Sequence, residues 1–369
     1  VAVMAPTEIL AEQHYLKFKQ WLEPLGLSVA WLSGSQRKKA KAQNKAALSD
    51  GLIQIAVGTH ALFQDDVQFQ NLGLVIVDEQ HRFGVAQRLA LKNKGADVHQ
   101  LMMSATPIPR TLAMSFFADL DVSVIDELPP GRTPIKTRLV NSVRRSEVEG
   151  LVLGACRKGQ QAYWVCPLIE ESETLQLQTA TETQAALQAA LPELSIGLVH
   201  GRMKAAEKAE VMAEFSAGRL NVLVATTVIE VGVDVPNAAL MVIEHAERMG
   251  LAQLHQLRGR VGRGAAASAC VLLFAEPLGD IAKARLKVIY EHTDGFEIAR
   301  QDLNIRGPGE FLGARQSGVP MLRFANLEED LPLLEAARNI APQLIDERPD
   351  IVDAHLARWL ASRESYLGV

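Results

Sequence analysis

Short apolar runs alternate with amphipathic stretches twice along this chain, and that alternation constrains its fold more than any other feature. In the first third, six runs have the length and apolar character of buried strands: residues 1–4, 28–32, 52–57, 72–77, 99–103 and 122–125. The segments between them, such as 8–21 and 36–48, carry apolar residues at helical spacing. Strands that alternate with helices favour a parallel sheet covered on both faces. We therefore predict an α/β lobe over residues 1–126.

The same pattern returns after residues 127–134, which hold three prolines and a glycine and read as a linker. Six further strand-like runs follow: 135–140, 161–166, 195–200, 221–225, 239–243 and 268–274. They predict a second parallel-sheet lobe over residues 135–276. Beyond it the pattern becomes helical, at 281–292, 296–304, 328–345 and 351–363, around the glycine-rich stretch 306–318. We predict a helical C-terminal tail over residues 277–369.

The composition excludes several classes of protein. The net charge of −5 excludes a uniformly basic nucleic-acid coat protein, although a local basic groove would still suffice for binding. The three cysteines form no CxxC pair, so we expect neither a disulfide framework nor a zinc site, and a reducing cytoplasm is the expected location. No apolar run approaches the roughly 18 residues that a membrane span needs, so we expect no membrane partner.

The first candidate site is acidic. The predicted strand at 74–77 runs directly into Asp78, Glu79, Gln80 and His81. In open α/β sheets the ligand lies beyond the carboxyl ends of the strands. Two adjacent carboxylates there suit a hydrated Mg²⁺ and a base for an attacking water. An acidic turn without a ligand is the alternative.

The second candidate site is basic and covers residues 256–263. Arg260 and Arg263 are three apart, so on a helical turn they are expected to project to one side. Two guanidiniums aimed at one point suit a transferring phosphoryl group. A solvated basic helix end is the alternative.

Weaker signals lie where other strands end. Ser104 and Thr106 follow the strand at 99–103, and Thr226 and Thr227 follow the one at 221–225. Pro6 with Thr7, and Gly58 with Thr59 and His60, each begin a helical stretch directly after a strand. Free N–H groups at such a start donate hydrogen bonds to phosphates, including those of nucleic acid. Simple helix capping by Thr7 is the alternative.

Taken in order, these segments resemble the motifs of superfamily 2 nucleic-acid helicases. Residues 6–8 resemble motif Ia, 58–59 motif Ib, 78–81 motif II, 104–106 motif III, 225–234 motif V and 256–263 motif VI. The stretches RFGV at 82–85, TPIPR at 106–110, ELPPGRTP at 127–134 and DLNIRGPGE at 302–310 are similar to the RecG family of bacterial ATP-dependent DNA helicases. Gln80 and Pro308 favour that family over the related transcription–repair coupling factor, which stays the alternative.

The resemblance implies two RecA-like lobes and an ATP- and Mg²⁺-dependent motor on branched double-stranded DNA, such as replication forks and Holliday junctions. It implies catalytic roles for Asp78, Glu79, Arg260 and Arg263, with Asp78 holding Mg²⁺ through water. It implies coupling roles for Gln80, His81, Ser104, Thr106 and Gln256. Further implied roles are nucleotide binding by Gly232 and Asp234, DNA contact by Pro6, Thr7, Gly58, Thr59, His60, Thr226 and Thr227, and translocation by Arg285, Arg306 and Gln316.

One family feature is missing from the sequence. No GxxxxGK[ST] occurs, and the dipeptide Gly-Lys is absent. In the family that phosphate-binding loop precedes motif Ia, so we expect this chain to be a C-terminal helicase portion without the loop and the upstream wedge domain. We then expect a truncated first lobe, no ATPase activity of the chain alone, and self-association through that lobe, whereas the parent is expected to be monomeric. For the chain alone, a non-catalytic module that binds DNA or a partner is the alternative description.

Overall fold

The computed structural model describes most of the chain. It covers residues 1–34, 36–83, 87, 90–91, 93–105, 121–127, 132, 134–167, 173–226, 235–264, 266–306 and 330–360. Both sheets and the helices up to residue 305 belong to one compact unit, and the last two helices belong to a second. Within this part of the chain, no helix has the length and apolar character needed to cross a bilayer.

Lobe one is built on a five-stranded, fully parallel sheet. Its strands are β1 (Ala2–Met4), β2 (Val29–Leu32), β3 (Ile55–Gly58), β4 (Leu74–Val77) and β5 (His99–Met102), in the order β2-β3-β1-β4-β5. Helices α1 (Glu8–Leu22) and α2 (Lys38–Ser49) connect the first three strands. β1 is buried at every position, because β3 and β4 pair with it on both sides. The parallel sheet predicted for this lobe is confirmed.

The sixth strand predicted for lobe one, at 122–125, is wrong. Residues 121–127 form no strand and are exposed, with Ile125 92% accessible. A strand is stable only when its backbone groups pair with a neighbour, and an alternating Val-Ser-Val-Ile run supplies the pattern without the partner. Within the described residues β5 pairs with β4 alone, so it forms an edge of the sheet.

Lobe two carries a six-stranded parallel sheet, as predicted. Its strands are β6 (Lys136–Asn141), β7 (Gln161–Val165), β8 (Ile196–Val199), β9 (Val222–Ala225), β10 (Ala238–Ile243) and β11 (Ala269–Phe274), in the order β6-β11-β10-β7-β9-β8. The helices between them are α3 (Arg145–Cys156), α4 (Glu173–Ala190), α5 (Ala205–Ser216) and α6 (Leu251–Arg258).

Alternation along the central strands gives lobe two a core on each face of its sheet. Trp164 packs on one face with residues of α3 and α4, and Tyr163 packs on the other with Phe215 of α5 and with residues of α6. Both aromatic side chains of β7 are fully buried. Burial on both faces accounts for the nearly continuous apolar runs in these strands.

The predicted tail contains four helices in the described residues: α7 (Asp280–Glu291), α8 (Gly295–Arg306), α9 (Leu331–Glu347) and α10 (Pro349–Leu360). Asp294 starts α8 as its cap, because its carboxylate accepts the N–H groups of Phe296 at 3.1 Å and Glu297 at 3.3 Å. Leu286 and Ile289 of α7 and Ile298 of α8 lie in the core of lobe two. Helices α7 and α8 are therefore packed parts of that lobe, while α9 and α10 belong to the second unit, which also contains residues 121–127.

Candidate functional site

The parallel sheet of lobe one brings most of its predicted site residues to a single edge, because all five strands end there. Pro6 and Thr7 follow β1, Thr59 and His60 follow Gly58 at the end of β3, Asp78 and Glu79 follow β4, and Ser104 follows β5 closely. β1 lies between β3 and β4, so the predicted DNA-contacting residues lie beside the acidic pair. Thr106 and the side chain of His81 lie outside the described residues.

The acidic pair forms a tight turn held by backbone hydrogen bonds. The Asp78 N–H donates to the Met4 carbonyl at 2.9 Å, and the Glu79 N–H donates to the Asp78 Oδ1 at 2.8 Å. Glu79 adopts φ 49° and ψ 51°, a left-handed conformation that costs a residue with a Cβ about 1–2 kcal/mol. Strain of this kind is concentrated at functional sites, where the surrounding structure holds it in place.

The same turn is bonded to the segment that follows β5. The Gln80 N–H donates to the Met103 carbonyl at 3.0 Å, and the Ala105 N–H lies 3.5 Å from Glu79 Oε2. Glu79 is 5% exposed, so its carboxylate is held between the two segments. These hydrogen bonds connect the acidic turn to the segment that follows β5.

A histidine outside all of the motifs contacts the acidic pair. His14 lies on α1, and its Nε2 is 2.8 Å from Asp78 Oδ2. The two residues are 64 positions apart in the sequence. The Thr7 hydroxyl starts α1 by accepting the Leu10 N–H at 3.3 Å, and this cap fixes the helix at the point where β1 ends. No local sequence signal marks His14, because its partner is brought to it only by the sheet.

The donor atoms at this turn fit a hydrated Mg²⁺ better than a metal bound entirely by protein. No group of three or more His, Cys, Asp or Glu side chains that could hold a metal occurs in the part of the chain that the structure describes. Mg²⁺ keeps several of its waters and is held in proteins by one or two carboxylates together with substrate phosphates. Asp78, partly exposed and still with a lone pair on each oxygen after its two hydrogen bonds, fits that role.

The predicted DNA-contacting residues of lobe one differ in their surroundings. Thr59 is buried, and its Oγ1 has no hydrogen-bond partner among the described residues. His60 next to it is exposed and begins a short 3₁₀ helix, His60–Phe63. Gly58 is fixed by packing, since a Cβ there would lie 2.0 Å from the Leu32 carbonyl oxygen. The hydroxyl of Thr7 is already used as the helix cap, so contact by this residue would come through backbone N–H groups.

The arrangement expected for the two motif VI arginines is wrong. Helix α6 ends at Arg258, and Gly262, between Arg260 and Arg263, has φ 76° in the left-handed region. The two side chains therefore do not share one helical turn. Arg260 is 8% exposed. Arg263 is exposed, and its Nε donates to the Gly259 carbonyl oxygen at 3.5 Å. The two arginines differ in this way because a glycine turn, and not a helix, connects them.

The linker also reaches this turn. The Arg132 guanidinium donates to the same Gly259 carbonyl at 3.2 Å. Arg263 and the linker thus meet at one backbone oxygen. Gln256, on α6, is buried.

The residue that anchors α6 most firmly is Arg258, which lies within motif VI but was not among the predicted site residues. It is 3% exposed and donates to the carbonyls of Ile289 and His292, both at 2.8 Å, and of Thr293 at 3.3 Å. These are carbonyls at and beyond the C-terminal end of α7, where a cation is favoured by the helix dipole. Arg258 therefore joins the motif VI helix to the first helix of the tail.

Arg258 also contacts His255, whose pKa is lowered chiefly by burial. Burial, with the adjacent Arg258 charge, lowers the pKa of His255 to about 4. The neutral ring can then accept a hydrogen bond from Arg258, whose terminal nitrogen is 3.1 Å from His255 Nδ1. Burial likewise lowers the pKa of the Arg258 guanidinium.

The remaining predicted residues are only partly described. Thr226 is buried, and its N–H donates to the Val199 carbonyl at 3.2 Å. Arg285, on α7, has a buried Nε with no hydrogen-bond partner among the described residues. Arg306 ends α8, but its side chain is not described. Thr227, Gly232, Asp234 and Gln316 lie outside the described residues.

Three family models match consecutive parts of the chain. Residues 1–115 match the DEAD/DEAH box helicase model, and residues 145–265 match the helicase conserved C-terminal domain. Residues 292–359 match the C-terminal part of domain 3 of the ATP-dependent DNA helicase RecG.

Curated relatives match nearly the whole chain. It is 58% identical over 366 residues to the ATP-dependent DNA helicase RecG of Acidithiobacillus ferridurans, covering 99% of this chain and 54% of that protein. It is 57% identical over 371 residues to the RecG of Escherichia coli strain K12, with the same coverage. The chain thus spans about half the length of the curated relatives it matches.

Solved structures agree with these matches. A structure of RecG bound to a three-way DNA junction aligns with a TM-score of 0.71 at 48% identity, over 90% of this chain and 43% of that one. The Saccharomyces cerevisiae protein Dbp5, bound to RNA and ADP BeF3, aligns with a TM-score of 0.56 at 15% identity, over 92% of this chain and 81% of that one. At that identity the second likeness shows the two-lobed fold alone.

Proposed function

The chain belongs to the RecG family of ATP-dependent DNA helicases, and on that premise we propose that the whole protein is an ATP-driven motor on branched double-stranded DNA. Its substrates would include replication forks and Holliday junctions, which it would remodel in recombination and repair. The likeness to RecG bound to a three-way DNA junction supports this choice of substrate, since it covers 90% of this chain.

The observation that carries the proposal is the bonded pair of turns at the carboxyl edge of lobe one. Asp78 and Glu79 occupy the ligand-binding edge of an open parallel sheet, and hydrogen bonds of Glu79 and Gln80 connect their turn to the segment of Ser104. In this proposal Asp78 would hold a hydrated Mg²⁺ through one of its waters, and Glu79 would orient the water that attacks ATP. Gln80, His81 and Ser104, with Thr106, carry the state of the phosphates to the neighbouring segment.

Lobe two supplies positive charge to the same reaction. Arg260 and Arg263 stabilise charge on the transferring phosphoryl group, a contribution of about 10³–10⁵ in turnover in comparable enzymes. The exposure of Arg263 suits a guanidinium that would reach the phosphoryl group only when the two lobes close. The burial of Arg260 suits a guanidinium whose orientation is fixed before closure. Gln256 links the two arginines to the nucleotide, which Gly232 and Asp234 help to bind.

DNA contact falls to the residues beside the acidic turn. The backbone N–H of Thr7 and the exposed His60 would donate hydrogen bonds to phosphate oxygens. Pro6, which has no N–H, and Gly58, Thr59, Thr226 and Thr227 would complete the proposed DNA contact. Such contacts hold the duplex in register without reading its sequence. Arg285, Arg306 and Gln316 would convert closure of the lobes into a step along the duplex.

The test compares a three-way junction with an unbranched duplex of equal length. With ATP and Mg²⁺ the whole protein is expected to unwind the junction, and a non-hydrolysable ATP analogue is expected to stop unwinding while leaving DNA binding intact. Unwinding of the unbranched duplex at the same rate would refute branch specificity. Unwinding that persists with the analogue would refute the motor itself.

A further inference from the structure

The contact between His14 and Asp78 gives the acidic turn a component that none of the motifs includes. His14 lies two turns into α1, and its ring Nε2 is 2.8 Å from Asp78 Oδ2. The Asp78 side chain is 20% exposed and that of His14 is 25% exposed, so water screens the contact only partly. The distance is that of a strong hydrogen bond.

The direction of this hydrogen bond follows from the chemistry of the two groups. An ionised carboxylate only accepts, so Nε2 of His14 is the donor. Asp78 Oδ1 is already engaged, because it accepts the Glu79 N–H at 2.8 Å. The two donors approach different oxygens, so together they fix both the position and the plane of the carboxylate.

The same two bonds leave Asp78 able to serve a metal. Each carboxylate oxygen has about two acceptor sites, and one on each oxygen is still open after these bonds. Those sites can accept hydrogen bonds from the water shell of a divalent cation. A side chain that orients a metal-facing carboxylate in this way acts like the outer-shell partners that tune other metal centres.

The surroundings of His14 explain how its ring is held. Its centroid is 6.5 Å from that of Phe18, one turn further along α1, with the rings tilted by 46°. Phe18 packs on the core formed by Val3, Ile55 and Val57. The N-terminal cap at Thr7 and the packing of Phe18 thus set the height and direction of the ring relative to the end of β4.

We propose that His14 is a positioning residue that holds the Asp78 carboxylate in the orientation required to bind hydrated Mg²⁺ with the nucleotide. This inference rests on the proposed ATPase function, because it assigns Asp78 to Mg²⁺. It goes beyond that function in adding a residue of helix α1 to the metal site.

The test measures Mg²⁺ binding and does not depend on turnover. Mg²⁺ is titrated into the whole protein in the presence of a fluorescent ADP analogue, and the half-saturating Mg²⁺ concentration is read from the fluorescence. For His14→Ala this concentration is expected to rise about tenfold, the lower end of the effect of losing an outer-shell partner. His14→Gln keeps an N–H donor and is expected to recover part of the loss.

A matched control comes from a second histidine–carboxylate pair in lobe two. His245 Nδ1 lies 3.2 Å from Glu247 Oε1, and His245 has φ 46°. Asn tolerates that backbone conformation, so His245→Asn removes a comparable pair without added strain. It is expected to leave the Mg²⁺ titration unchanged, and His14→Asn beside it gives the like-for-like comparison.

The outcomes separate this inference from the proposed function. If the wild-type protein shows no Mg²⁺-dependent nucleotide binding, the proposed function fails first. If wild type binds and folded His14→Ala and His14→Asn have the wild-type Mg²⁺ dependence, His14 does not position Asp78. An equal loss in His14→Gln and His14→Ala, at every Mg²⁺ concentration, would also overturn the inference, since it would indicate a purely structural role.

Discussion

Replacing Gly58 with alanine tests whether close packing of two strands fixes the edge that carries the candidate DNA contacts. A Cβ at residue 58 would lie 2.0 Å from the Leu32 carbonyl oxygen and 3.3 Å from the Leu32 Cβ. The first distance is more than about 1 Å shorter than van der Waals contact allows. Strands β2 and β3 would have to separate at this end, where the Thr59 N–H now reaches the Leu32 carbonyl at 3.4 Å.

The expected change in the free energy of unfolding combines two unfavourable contributions and one favourable one. Overpacking of a fitted interior costs about 1–3 kcal/mol, and loss of a backbone hydrogen bond costs about 0.5–1.5 kcal/mol. The reduced entropy of the unfolded chain returns about 0.4–1 kcal/mol. We therefore expect Gly58→Ala to lower the free energy of unfolding of lobe one by about 2–3 kcal/mol, which lowers its Tm by about 5–10 °C.

Gly73 supplies the matched control, because a Cβ there would meet nothing within 4 Å. Gly73→Ala is expected to leave lobe one unchanged or to stabilise it by about 0.4–1 kcal/mol. Circular dichroism melts of both variants measure the difference. Equal melting of Gly58→Ala and Gly73→Ala would refute the argument that backbone approach demands glycine at residue 58.

Three further outcomes follow from the structure. The pKa of His255 is lowered to about 4 in the folded protein, so between pH 6.5, its ordinary pKa, and about pH 4 the unfolded chain binds more protons than the folded one. The free energy of unfolding should therefore fall as the pH falls through that window. His255→Gln should flatten this part of the pH profile in urea titrations, whereas an unchanged profile would contradict the prediction. Among the described residues β5 pairs with β4 alone, and its Leu101 is 50% exposed, so the 369-residue chain should self-associate through this strand. Sedimentation should detect the association and Leu101→Lys should weaken it, whereas a monomer at every concentration would contradict it. The sequence contains no GxxxxGK[ST] loop to hold the β- and γ-phosphates of ATP. In an ATPase assay the 369-residue chain alone should therefore hydrolyse ATP at less than about a tenth of the rate of the whole protein, and a comparable rate would refute this.

The sequence predicted the two sheets because their strands are buried on both faces and so form apolar runs that need no partner to be recognised. The same reasoning failed at 122–125, where an alternating run has no neighbouring strand among the described residues and lies exposed. It also failed for Arg260 and Arg263, because helical spacing was assumed across Gly262, whose φ is 76°. The local sequence pattern can indicate a strand or a helix, but it does not show whether a strand has a neighbour to pair with or where a helix ends.

The contacts that the sequence could not show are all distant along the chain. His14 meets Asp78 across 64 residues, and Arg258 reaches carbonyls 31 to 35 residues away. No sequence pattern around His14 or Arg258 indicates these partners. For Arg258 the partners are backbone carbonyls, which no residue type marks. Only the order of the strands and the packing of α6 on α7 bring these groups together.

The central claim is that the whole protein hydrolyses ATP between the acidic turn of lobe one and the motif VI arginines of lobe two. Arg263 tests it most directly, because its side chain is exposed and substitutions at exposed residues usually change stability by only about 0.5 kcal/mol. A variant at this residue should leave the fold intact, so a change in turnover would report on chemistry.

The measurement is single-turnover ATP hydrolysis by the whole protein on a three-way junction, for wild type, Arg263→Ala and Arg263→Lys, with junction affinity measured in parallel. The account predicts that Arg263→Ala loses about 10³-fold or more in hydrolysis while junction binding stays close to wild type. Arg263→Lys should recover little, because a point charge does not reproduce the planar guanidinium. Retention by Arg263→Ala of more than about a tenth of wild-type hydrolysis would contradict the account.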